Sequence, residues 1–166
     1  TFLDHFYTLA INGVEEITKK AKYNVILAQS HEDVENEERI ARLMISNRVD
    51  GVIVAITKNT VDMLLFDKLK SMGIPVICIS REPKSENFSY VSVNNIEGAR
   101  KATDFLYKKG HRRIAHLLGP TTMQVAPSRL EGYTHSVPKQ KLSFDPALVK
   151  ADDLKWPTPP RPLRSP

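Results

Sequence analysis

Apolar residues fall along this chain in two alternating rhythms. Short runs rich in β-branched residues predict five strands: NVILA from Asn24, GVIVAI from Gly51, PVICI from Pro75, YVSV from Tyr90 and IAHLL from Ile114. Between these runs the apolar positions return every three or four residues, the spacing that lines one face of a helix. Ala10, Val14, Ile17 and Ala21 mark a first helix, and Ile40, Leu43 and Met44 a second. Val61, Leu64, Leu65, Leu69 and Met72 mark a third, and Ala99, Ala102, Phe105 and Leu106 a fourth. Strands joined by single helices favour right-handed crossovers. The expected fold is therefore α/β, a Rossmann-like parallel sheet flanked by helices on both faces.

Sheets of this kind bind ligands beyond the carboxyl ends of their strands. That rule singles out Gln29 and Ser30, Thr57, Ser80 and Arg81, Asn94 and Asn95, and the loop after Gly119. Residues 5–8, just ahead of the first helix, join the set if a strand precedes residue 1.

The stretch GHRRIAHLLGP from Gly110 holds two histidines and two arginines, which raises nucleic-acid contact and metal binding as alternatives to a structural turn. The turn is favoured. Lys108 and Lys109 suit the negative end of the fourth helix, and Gly110 supplies the left-handed conformation that ends it. His111, Arg112 and Arg113 then form an exposed turn, and His116 falls inside the strand as a packed or edge residue in preference to a metal ligand. The acidic run HEDVENEE from His31 is expected to complement the dipole at a helix start and face water, in preference to holding a metal.

Charge changes the picture little. Of the formal +5, Lys155, Arg161 and Arg164 contribute three in a tail without acids, which leaves +2 on the body. A broad phosphate-binding surface needs more than that. The single cysteine, Cys78, excludes an intramolecular disulfide and sits in an apolar run, so a buried, inert thiol and a cytoplasmic location are expected. No window is long and apolar enough for a membrane span, and the N-terminus lacks the layout of a signal peptide. The first residue is Thr, which points to a fragment. The tail KWPTPPRPLRSP has five prolines in twelve residues, a composition expected to be disordered over residues 154–166. GxGxxG, GxxxxGK[ST], GxSxG, HExxH and CxxC are all absent, so neither a catalytic site nor a cofactor or metal is expected.

Four segments in order, GVEEITKKAKYNVILAQSHEDVENEERIARLMISNRVDGVIV, GIPVICISR, VSVNNIEGARKATDFLYKKGHRRIAHLLGP and SRLEGY, resemble the effector-binding region of LacI/GalR-family bacterial transcription regulators. The resemblance runs from about Phe6 to Tyr133. It implies the periplasmic-binding-protein fold of type I, in which two Rossmann-like lobes close around a small molecule. On this resemblance residues 1–95 form the first lobe and 96–153 part of the second.

The same resemblance implies the ligand contacts. Phe6 and Tyr7 open the first helix at the cleft, where aromatic faces suit a sugar or purine ring; a hydrophobic anchor for the helix is the alternative. Arg129 stands at the arginine of the R-x-x-G-[YF] motif, and Ser80 and Arg81 border the same cleft. Met123 and Val125 occupy the loop where purine-binding relatives carry polar residues, which argues against a purine. The usual Asp-Asn at the crossover is Asn94-Asn95 here. Three departures stand out: no helix-turn-helix precedes residue 1, Pro138 falls where relatives continue a helix, and the second lobe breaks off.

The function expected is effector sensing by a regulator: a small polar molecule, a sugar or sugar derivative, would control operator DNA binding by a missing helix-turn-helix in a homodimer. A transport-system sugar-binding protein of the same fold is the runner-up. An α/β enzyme is a third reading, because fold does not dictate function.

Overall fold

A computed structural model describes residues 5–60, 62–119, 121, 124–139 and 144–151. The expectations made for Val61, Met123 and the proline-rich tail lie outside these residues.

The chain opens on helix α1 (His5–Lys20), then runs through α2 (Val34–Ser46), β1 (Val52–Val54), α3 (Leu64–Ser71), β2 (Val76–Ile79) and β3 (Ser89–Val91). These three strands pair in parallel in the order β1-β2-β3, with Val52 beside Val76, and Val54 and Tyr90 on either side of Cys78. Alternation decides what is buried. Val76 and Cys78 face a core supplied by Ala41 of α2 and by Phe66 and Leu69 of α3, with Leu69 and Cys78 fully enclosed. Burial of a side chain such as Phe66 or Leu69 contributes about 1.5–3 kcal/mol.

The chain continues through α4 (Asn95–Lys108), β4 (His116–Leu118), α5 (Val125–Lys139), a 3₁₀ turn (Pro146–Leu148) and β5 (Val149–Ala151). β4 and β5 form a second parallel pair. Helix α4 starts where the Asn94 side chain accepts the Glu97 N–H at 2.9 Å, and Gly110 ends the following turn at φ +96°. Pro127 is tolerated in α5 because it sits in the first turn, where a missing N–H breaks no helical bond. The helix also spans position 138. α4 and α5 pack against each other so closely that a Cβ on Gly132 would meet the Ile96 carbonyl oxygen at 2.1 Å. Ile114, Tyr133 and Val137 make a second, smaller core.

Four expectations need correction. NVILA is not a strand: residues 23–30 carry no strand hydrogen bonds, and Val25, Ile26 and Leu27 are exposed. The apolar signal is real, but a strand exists only through a partner that takes its backbone groups. Among the described residues the first sheet ends at β1, and nothing pairs with this run. Helices do not cover both faces of the first sheet: α1 buries none of its residues, and Ile53, Ile77 and Val91 stay 49%, 40% and 67% exposed. The third helix begins at Leu64. Finally, the acidic run is not wholly solvated, because Glu37 is buried and Glu32 is paired.

Candidate functional site

The loops after β1 and β2 and the start of α5 meet at a cleft of about 380 Å³. Thr57, Lys58 and Thr60 follow β1, Arg81 and Lys84 follow β2, and Val125 opens α5. A volume of this size suits a small molecule.

Two carboxylates from the start of α2 hold the β1 loop. Asp33 caps that helix by accepting the Asn36 N–H at 2.7 Å, and this places Glu37 in the first turn, facing inward. Glu37 accepts the Thr57 N–H at 2.7 Å and the Thr60 hydroxyl at 2.6 Å. The Thr60 proton is thereby committed, so the 2.9 Å contact between the two threonine oxygens has Thr57 as donor. Glu32 accepts the next amide, that of Lys58, at 2.9 Å. Two successive amides of one loop are thus each taken by a carboxylate.

Glu32 also meets Arg81, whose Nη2 and Nη1 donate to its two oxygens at 2.5 and 2.9 Å. Arg81 Nη1 donates as well to the Ile56 carbonyl at 2.6 Å. This two-pronged geometry is the stronger kind of ion pair. Burial on its own would push the Glu32 carboxyl up. The Arg81 hydrogen bond, the Lys58 amide and the two positive charges outweigh burial and hold it below the ordinary carboxylate value. Burial likewise works against the Arg81 charge, but the Glu32 hydrogen bond, together with the charges of Tyr7, Glu32 and Glu37, outweighs it and raises its basicity.

A second hollow of about 500 Å³ lies between α4 and β4 and is lined by Val93, Asn95, Ala99, His116, Arg129 and Tyr133 among others. Arg129 Nε donates to Asn95 Oδ1 at 2.9 Å. The His116 ring stacks on Tyr133, whose hydroxyl donates to the Ile114 carbonyl at 2.8 Å. Burial first, and then the Arg129 charge, lower the basicity of His116.

Residues 1–153 match the periplasmic binding protein domain. The chain belongs to that family. Its relatives are regulators, as the resemblance in the sequence implies. The HTH-type transcriptional regulator CelR of Thermobifida fusca is 31% identical over 93% of this chain and 45% of its own length. The ribose operon repressor of Halalkalibacterium halodurans is 30% identical over 89% and 42%. A solved complex of the transcriptional regulator CelR with cellobiose superposes with a TM-score of 0.76 at 30% identity, covering 90% of this chain and 45% of that one. The chain spans a little under half the length of these relatives.

Within this periplasmic-binding-protein domain the residues singled out from the sequence are divided. Arg81 and Val125 line the cleft, and Ser80 precedes Arg81 with its own N–H given to the Val91 carbonyl at 2.8 Å. Tyr7 is near enough to act electrostatically on Arg81, and Phe6 packs edge-on against Tyr7 at 5.3 Å. Arg129 lines the second hollow instead. Thr57 was visible from the strand-end rule. Glu32 and Glu37 were not, because an acidic run before a helix carries no sign of which members turn inward. Their only signal is the spacing from the Asp33 cap.

Proposed function

We propose that this chain is the effector-sensing domain of a LacI-type bacterial transcription regulator. It binds a small polar molecule, a sugar or sugar derivative, between a first lobe of residues 1–95 and a second of residues 96–153. The observation that carries this reading is the cleft itself, which gathers the loops after two strands of one sheet and the loop leading from β4 into α5. Phe6, Tyr7, Ser80, Arg81, Met123 and Val125 are the contacts proposed at the cleft, and Arg129, which lines the second hollow and is held there by Asn95, is proposed to reach the ligand when the lobes close. A ligand that prefers one arrangement of the lobes shifts the population toward it. In the whole regulator this shift would alter operator binding by a helix-turn-helix in a cytoplasmic homodimer. Relatives named as a cellobiose-bound regulator and a ribose operon repressor support a sugar.

Calorimetry against a panel of mono- and disaccharides, cellobiose included, tests the reading. Binding of one sugar is expected, and Arg129→Ala is expected to weaken it by about 1.5–3 kcal/mol, the range for a hydrogen bond to a charged group. No sugar binding in a protein that carries the complete domain would refute the proposal. The homodimer is proposed through the outer face of the first lobe, where Leu64 of α3 is 71% exposed. Sedimentation of the Leu64→Lys protein should then show dissociation at concentrations where the parent self-associates.

A further inference from the structure

Among the described residues, the wall of the cleft built from the first sheet is cationic and its opposite wall is neutral. Lys58, Arg81 and Lys84 line it against one carboxylate, Glu82, while Thr121, Gln124 and Val125 face them. Glu82 is already engaged, accepting the Ser92 hydroxyl at 3.0 Å. Among the described residues neither Lys58 nor Lys84 makes an ion pair. Arg81 is the exception, and its partner comes from outside the cleft lining: Glu32, which grips the guanidinium through both oxygens.

That grip depends on unusual backbone. His31, Glu32 and Ser80 have φ of 56°, 61° and 66°, so three of the five described non-glycine residues in the left-handed region flank this one contact. Such conformations are costly for residues with a Cβ and persist where surrounding contacts impose them; they gather at ligand clamps and switches. Glu32 is also accessible, its side chain 43% exposed, whereas that of Arg81 is 17% exposed. The carboxylate, otherwise held by the exposed Lys58 amide, can therefore exchange that contact and its ion pair for water, while the guanidinium stays fixed by the Ile56 carbonyl.

We propose that the cleft takes a ligand bearing a phosphate or carboxylate group, and that this anion displaces the Glu32 carboxylate from Arg81. Glu32 is an internal competitor: it satisfies the guanidinium when the cleft is empty and makes a neutral ligand unable to exploit it. Lys58 and Lys84 supply the further positive charge that favours the incoming anion. The inference rests on the effector-sensing reading and narrows its ligand class from polar to acidic.

Titration of the protein with inorganic phosphate, glucose 6-phosphate, glucuronate and glucose, in parallel with Glu32→Gln and the double variant Glu32→Gln/Arg81→Gln, tests it. Glutamine keeps the size of Glu32 and removes its charge. At least one acidic probe is expected to bind Glu32→Gln about fivefold or more tighter than the parent, and the gain is expected to vanish in the double variant. Gain with phosphate alone assigns the site to a free anion; gain only with an acidic sugar assigns it to a ring-borne group. Equal binding of acidic and neutral probes, no gain in Glu32→Gln, or a gain that survives loss of Arg81 would overturn the proposal. Tight binding of a neutral sugar that depends on Arg129 would overturn this inference while leaving the sugar-sensing reading intact.

Discussion

Single residues carry more of this molecule than their number suggests. Gly132 allows α4 and α5 to touch, and Gly132→Ala should lower stability by about 1–3 kcal/mol, the range for overpacking, because the atom it would meet is rigid backbone. A shifted urea midpoint would record it. Glu37→Ala leaves the Thr57 amide and the Thr60 hydroxyl without their acceptor. Destabilisation of about 1–3 kcal/mol is expected from the stranded amide alone, and unchanged unfolding would show that water replaces the carboxylate. Glu32 adds a dependence on acidity. It takes up its proton less readily in the fold than in the unfolded chain, so its contribution is present above the ordinary value near 4.5 and is lost as pH falls through the lower value of the folded state. Gly110 and Cys78 were legible in the sequence, one as a helix end and the other as an enclosed thiol. Glu37 was not: its spacing from the Asp33 cap is the one local signal, and the contact that separates it from Glu35 and Glu38 is with the loop after β1, distant in sequence.

At the level of elements, what could be read depended on whether the partner lay within reach. The runs that became β1, β2, β3 and β4 each find a parallel neighbour, and their pattern was sufficient. Residues 24–28 have the same pattern without a neighbour, and periodicity cannot report that. Their amides should exchange with solvent about a hundredfold or more faster than those of β2, which is paired on both sides. Equal protection would mean that the run pairs in solution. The β4–α5 contact should respond to mild acid. His116 is less basic in the fold than its ordinary value of 6.5, so the neutral ring stabilises the stack on Tyr133 above that pH and the contribution fades as pH falls below it. His116→Phe should keep the stack and remove this part of the pH dependence between 7 and 5, as followed by thermal unfolding.

For the whole molecule, the α/β class, the order of elements from α2 to β4 and the periplasmic-binding-protein family were legible, because local rhythm and the order of four segments determine them, whereas the strand expected at NVILA was not found. The site was legible only in part. Strand ends pointed to Thr57 and Arg81, but nothing in the sequence placed Arg129 with Asn95 or set Glu32 on Arg81. The modest charge of the body has a consequence at this scale as well. The 166-residue chain should bind duplex DNA weakly and without sequence preference, with affinity falling steeply as salt rises. Selective protection of one DNA site at physiological salt would contradict that.

Cys78 offers a built-in gauge of the first sheet. It is the single thiol, fully enclosed between β1 and β3, and burial, with the Glu37 charge as a lesser cause, pushes it up to about 11. Reaction with a disulfide reagent requires both access and ionisation. The folded sheet denies both, so labelling at neutral pH should proceed only through molecules whose β-sheet has opened. The labelling rate under native conditions, divided by that of the denatured chain, then reads the opening equilibrium of this half of the protein without any denaturant titration.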